Sequence, residues 1–127
     1  MSDLPLTAEL AALVQENGDL DVATDVPWLG FDPIIMGQEA VITDLNVSEA
    51  QPQPDGSQLV AVNFRNMGEV QVLEYELVRV GDQWRVRELR SADWELSGVL
   101  QAAINDARAY QACVARGVDH YDCIPSE

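Results

Sequence analysis

The chain has 127 residues, 47% of them hydrophobic, and sets 22 acids against seven arginines and no lysine, a formal net charge of -15. That length fits one domain able to bury an ordinary core without metal or several disulfides, and no run of about 18 apolar residues occurs that would span a bilayer. So acidic a surface repels phosphate backbones and anionic headgroups, which excludes nucleic acid and membranes as favoured partners and leaves a basic protein, a cation or a neutral small molecule. A high-salt habitat or a coding bias against lysine gives the same composition through solubility alone. The first residues lack the basic start and apolar core of a signal peptide, which points either to a cytosolic protein or to a mature chain with an added methionine.

In chain order, Leu4 to Leu10 opens a short helix with Thr7 as N-cap, Glu9 in its first turn, Leu10, Leu13 and Val14 on one face, and Gly18 as its stop. Residues 19–27 read as a solvated acidic loop. Its spacing of Asp19, Asp21 and Asp25 lacks the central glycine and terminal glutamate of an EF-hand calcium loop. Trp28, Leu29, Phe31, Ile34 and Ile35 surround the turn formers Gly30 and Pro33, which predicts a buried crossing from helix to sheet. A first strand follows over residues 40–48, with Val41, Thr43, Leu45 and Val47 alternating against Asp44 and Asn46. Residues 49–57, with two prolines and an Asp-Gly pair, predict a long, mobile polar loop open to proteolysis.

Residues 58–90 are the clearest stretch: three strands joined by two tight turns, Asn66-Met67-Gly68-Glu69 and Gly81-Asp82. The apolar phase changes along residues 70–80, which predicts a β-bulge in that strand and hence a strongly curved sheet. In the next strand Trp84 and Val86 point inward, while Arg85 and Arg87 face out to pair with Glu74 and Glu76. Residues 91–117 form the second long element. Leu96, Leu100, Ala103, Ala107, Tyr110 and Val114 make one helical stripe, capped by Asp93 or Ser97 and ended by Gly117, fit to cover the concave side of the sheet.

The chemistry-bearing residues are few. Cys113 and Cys123 lie in the last helical turn and the weakly held tail of residues 118–127. A disulfide between them adds about 2–3 kcal/mol in the chain-entropy description and implies an oxidising compartment, whereas two idle thiols fit a reducing one. Cys113, Asp119, His120, Asp122 and Cys123 fall short of a structural zinc set, which draws on four cysteine or histidine ligands, so no metal or other cofactor is expected. His120 is the single histidine, which argues against nucleophilic hydrolysis. Asp32, Asp93 and Glu95 flank Phe31 and Trp94, where burial raises a carboxyl pKa, yet each is more economically a turn or helix cap. No catalytic residue is assigned.

The order of LTAELAALV, GFDPIIMGQEA, QLVAVNF and VGDQWRVREL resembles an uncharacterised bacterial domain family of the nuclear transport factor 2-like superfamily, over roughly residues 4–100. The Gly-Asp-x-Trp-Arg-Val turn is widespread there, and the Asp32-Pro33 and Gln38 placement is more particular to the family. The resemblance implies an α+β cone, an antiparallel sheet wrapped on helices, and frequent export to the periplasm or beyond. Superfamily enzymes such as ketosteroid isomerases and epoxide hydrolases use pocket aspartates, but their motifs do not map onto this chain. The superfamily's long first helix is absent before Thr7, and a long helix follows the sheet instead. That helix is expected to take the missing one's place, within the chain or exchanged between two chains of a homodimer.

The expectation is one α+β domain over residues 1–127: a strongly curved antiparallel sheet of about four strands against a short N-terminal and a long C-terminal helix. Its expected role is non-catalytic recognition of a protein partner, basic where it meets this acidic chain, in an exported or periplasmic setting. The rival is a cone for a small apolar ligand, lined by Trp28, Phe31, Tyr75, Trp84 or Trp94, with Asp32 or Asp93 as a pocket carboxylate and an isomerase- or hydrolase-like reaction in view. A structural dimer made by exchanging the C-terminal helix is the third expectation.

Overall fold

A computed structural model describes residues 4–30, 33–34 and 41–124. Phe31 and Asp32, residues 35–40 with Gln38, and the last three residues of the tail lie outside the described residues. The architecture is α+β: an open antiparallel sheet with two helices against one face.

Helix α1 (Ala8–Thr24) starts where Thr7 Oγ1 accepts the backbone N–H of Leu10, as the capping pattern predicts. It does not stop at Gly18. A glycine inside a helix costs about 1 kcal/mol relative to alanine, too little to end one whose next turns still bring Leu20 and Thr24 into partial burial. The helix stops at Asp25, in the left-handed region at φ 58, with Pro27 two residues on. Asp19 and Asp21 are therefore helical, where a loop was expected. Asp19 accepts from Gln15 at 2.9 Å, and Asp21 accepts the backbone N–H of Trp28 at 3.1 Å.

The sheet contains β1 (Ile42–Val47), β2 (Gln51–Pro52), β3 (Gln58–Asn66), β4 (Glu69–Val80) and β5 (Gln83–Arg90). Its order is β1-β3-β4-β5, and β2 pairs with the start of β3. The predicted polar loop is thus partly a short hairpin. Asp55 closes it by accepting both the backbone N–H and the hydroxyl of Ser57, at 2.9 and 2.6 Å, with Gly56 at φ 88. The β3–β4 turn has Met67 and Gly68 at φ 53 and 84, the two successive positive values that match the right-handed twist of a hairpin.

Two register shifts bend the sheet. In β1 the pairing moves from Thr43–Arg65 to Asn46–Asn63, so β1 carries one extra residue, with Asp44 at φ 55. The expected alternation of Val41, Thr43, Leu45 and Val47 is broken there: Thr43 and Asn46 share one face. The second shift lies between Glu76–Glu88 and Leu77–Val86. The extra residue is Arg87 on β5, so the bulge falls on β5 and β4 keeps its phase throughout.

Helix α2 (Leu96–Ala115) buries Leu96, Leu100, Ala103, Ile104, Ala107 and Tyr110. Leu96 and Leu100 join Phe64, Leu73, Val86 and Leu89 from the sheet, with Leu6 and Leu10, in one core. Val114, read as part of the stripe, is exposed, because the sheet does not reach that last turn. Neither Asp93 nor Ser97 caps α2 with its own side chain. The cap position is Glu95, which makes no side-chain capping bond, and the carboxylate of Glu88 on β5 takes that role. Before α1, the segment around Leu6 forms a parallel bridge to Val86: Val86 N–H donates to Pro5 O at 2.7 Å and Thr7 N–H to Val86 O at 2.9 Å. This covers the outer edge of β5. Beyond α2, a one-turn α3 (His120–Cys123) completes the described chain.

Candidate functional site

The residues expected to line a cone are dispersed. Trp28 sits past the end of α1, where its indole N–H donates to Thr24 Oγ1 at 2.8 Å and its ring packs on Tyr110 with centroids 5.5 Å apart. Tyr75 stands opposite Leu89 in mid-sheet, half-buried against the core, and Trp94 packs against that core just before α2. Trp84 faces the core side by register but lies at the open end of the β4–β5 hairpin, 41% exposed, where an inward position was expected. The helix layer ends short of it. Asp93 is exposed in the β5–α2 turn, its N–H donating to Ser91 Oγ. Phe31 and Asp32 lie outside the described residues.

The open clefts that can be described include three with no aromatic residue among those lining them. One of about 310 Å³ lies between Val72, Glu74, Arg90, Ser91 and Ala92, and one of about 290 Å³ lies between the Leu4–Leu6 segment, α1 and Arg85. A third, of about 400 Å³, lies at the C-terminal end of α1 around Asp21, Asp25 and Pro27.

The more distinctive surface is the sheet face opposite the helices. Because β4 keeps its phase, Val70, Val72, Glu74, Glu76, Val78 and Val80 all project there. Charge occupies the middle. Arg87 bridges Glu76 at 2.6 Å and Asp55 at 3.0 Å, and Arg90 bridges Glu74 at 2.7 Å and Glu76 at 3.4 Å. The expected Arg87–Glu76 pair forms, but Glu74 takes Arg90, while Arg85 turns to Gln83 and the Leu6 carbonyl.

The electrostatics follow from these contacts. The hydrogen bond from Arg87 holds the Glu76 carboxyl below its ordinary range, and Glu76 in turn raises the Arg87 guanidinium. Asp55 is held well below its ordinary range first by the Ser57 hydroxyl and N–H, then by Arg87. For Arg90, partial burial works against the charge, but the hydrogen bond to Glu74 and the nearby Glu76 carry its pKa upward. Such exposed pairs set geometry more than they add stability, because solvent screens them.

Apolar side chains flank this belt. Val70 and Val72 lie at one end, separated by β3 from β1, whose six residues are all exposed. The Val41 carbonyl accepts the Met67 N–H at 3.0 Å, which places exposed Val41 and Met67 at the same corner. Leu45 and Val70 are each 62% exposed. Among the described residues no strand pairs with the outer edge of β1. The Asp44 bulge, with its carboxylate 3.2 Å from Arg65, breaks that edge into two short pieces and blunts it against a continuous added strand.

At the other end of the molecule the sulfurs of Cys113 and Cys123 lie at disulfide-bonding distance, with Cα atoms 5.7 Å apart. The Tyr110 hydroxyl and His120 Nδ1 are hydrogen-bonded, their rings edge to face. Among the described residues there is no group of His, Cys, Asp or Glu that could hold a metal ion, and no helix long and apolar enough to cross a membrane.

Sequence reasoning missed Asp55, Glu88, Arg90 and the Trp28–Tyr110–His120 ring series. The Asp-Gly pair signalled a turn at Asp55 but not its carboxylate's grip on Ser57. Comparison with known proteins gives no match to any family model, curated protein or solved structure.

Proposed function

We propose that the chain is a non-catalytic protein-recognition module on a nuclear transport factor 2-like α+β scaffold, meeting a basic protein partner in an exported or periplasmic setting. The observation that carries this reading is the uncovered corner of the sheet, where Val41, Met67, Val70 and Val72 stand exposed beside the charged belt. Grouped apolar side chains rimmed by polar ones mark interaction surfaces on soluble proteins. Covering each in full is worth about 1.5–3 kcal/mol, a gain available only to a partner with a matching surface.

The sign of the partner's charge follows from the ion pairs. The described pairs engage only Glu16, Asp44, Asp55, Glu74 and Glu76. Most of the 22 acids are left to project a negative field, which speeds encounter with a basic surface and repels a second copy of this chain. The Cys113–Cys123 pair fits an oxidising setting. The rival cone reading leans on Phe31 and Asp32, with Tyr75 and Trp94 packed against one core and Trp28, Trp84 and Asp93 placed elsewhere.

The test places a photo-crosslinking residue at Val72 in the host, identifies what it captures, and measures binding of that purified protein across salt concentrations. A basic partner whose association rate falls steeply with salt, and whose binding is lost in Val70→Asp and Val72→Asp, supports the reading. Binding indifferent to both substitutions, or a captured small molecule in place of a protein, sinks it.

A further inference from the structure

We propose that the Cys113–Cys123 disulfide is a reducible latch that holds α3 against α2 and, through His120, governs the cover over Tyr110 and Trp28. Helix α3 is four residues long and has no buried residue, so packing alone gives it little reason to stay. Its described attachments to α2 are the disulfide and the Tyr110–His120 hydrogen bond with its ring contact, beside local bonds from Tyr121 and Asp122 N–H to Asp119 and a long contact from Cys123 to the Val118 carbonyl. Only the disulfide is covalent.

What the latch covers is specific. Tyr110 is 8% exposed, with the Trp28 ring centroid 5.5 Å from its own and the His120 ring 5.4 Å away at 90°. Trp28 in turn is hydrogen-bonded to Thr24, in the last turn of α1. A ring series therefore runs from Trp28 at the end of α1 through Tyr110 on α2 to His120 and Tyr121 in the tail, and opening the latch removes the two tail rings. Both cysteines are half-buried, on the last turn of α2 and on α3, so a reductant reaches them without unfolding the sheet.

The reductant is a dithiol. One of its thiolates attacks a sulfur of the pair, the S–S bond breaks, a mixed disulfide forms, and the released cysteine thiolate takes a proton. The second dithiol sulfur then displaces the other cysteine, which is also protonated. The reductant leaves as its own disulfide, two electrons having passed to Cys113 and Cys123. The latch is independent of the partner proposed above.

The chain's single histidine makes the test direct, because every histidine ring signal in a proton NMR spectrum belongs to His120. Oxidised protein is compared with protein reduced by dithiothreitol, with reduction verified by a mass gain of two hydrogens, and with the Cys113→Ser/Cys123→Ser variant. The expected result is that His120 signals, shifted by the neighbouring rings in the oxidised form, move to the positions of an unstructured peptide in both other samples. Amides of residues 20–28 and 108–116 then exchange about tenfold faster, while β3 to β5 stay unchanged. Oxidised Tyr110→Phe keeps most of the ring-induced shift, which separates the covalent latch from the hydrogen bond. Unmoved His120 signals after verified reduction overturn the proposal, as does loss of structure across the whole sheet or resistance of the folded protein to the dithiol.

Discussion

Glu88 on β5 takes hold of Ser97 on α2: one carboxylate oxygen accepts the Ser97 N–H at 3.0 Å and the other its hydroxyl at 2.5 Å. The first oxygen also accepts the Leu89 N–H at 3.1 Å. A strand residue thus does what the helix's own cap position, Glu95, does not. The negative charge also sits at the positive end of the helix dipole.

Removing that carboxylate leaves buried donors without partners, since Glu88 is only 8% exposed. Glu88→Ala is expected to lower unfolding free energy by about 1–3 kcal/mol, and Glu88→Gln by less, because an amide oxygen still accepts one bond. Urea titration of the three proteins checks the order. Equal midpoints for all three would show that α2 is anchored by its apolar stripe alone.

Met67 occupies a left-handed position, φ 53, that favours asparagine or glycine, and its side chain is exposed. Met67→Asn is therefore expected to raise stability by about 0.5–1 kcal/mol through relief of that strain. In the proposed function it also removes one apolar contact. Thermal unfolding and partner affinity measured on the same variant should move in opposite directions.

The core and the open end of the sheet should respond differently to truncation. Leu100, fully buried between α2 and the sheet, is expected to cost about 2–5 kcal/mol as Leu100→Ala. Trp84→Ala removes a larger side chain from an exposed position, and a loss under about 1 kcal/mol is expected. Denaturant midpoints compare them. A larger loss at Trp84 would mean that the indole seals the hairpin end after all.

The charged belt sets a pH window. Asp55 and Glu76 have folded pKa values below their ordinary 3.8 and 4.5, so each contributes stability that is fully present above those values. That contribution is lost as pH falls through the lower, folded values. The net charge of -15 acts the other way, since acidification from neutral first relieves repulsion. The difference between wild type and Asp55→Asn/Glu76→Gln isolates the first effect. It should hold steady from pH 7 to about pH 5 and close toward zero in stronger acid. A difference that widens on acidification would contradict the assignment.

The hairpins and the helix stripe were legible in the sequence because they rest on local signals: Met67-Gly68, Gly81-Asp82, and the spacing of Leu96, Leu100 and Ala107. The cysteine pair was legible from its place in a short tail. The stop of α1 was not, because Gly18 weakens a helix without ending it, and the left-handed Asp25 looks like any acid in the chain. The phase change along β4 was real in composition but misplaced in structure. Valines at both ends of its outer face imitate a slip, while the extra residue sits on β5 at Arg87. Alternation told which way Trp84 points and not how far the helices extend to cover it. Glu88 had no sequence signal, since its partner Ser97 belongs to another element.

The bridge between Leu6 and Val86 has a consequence for how the molecule is made. The ribosome delivers Leu6, Leu10 and Leu13 roughly 70 to 100 residues before the strand that receives the Leu6 segment and the helix that packs against α1. Until then these leucines have no native surface to cover. The early chain must wait in a state whose apolar side is open to chaperones or to aggregation, so products truncated before β5 should be recovered mainly as insoluble material.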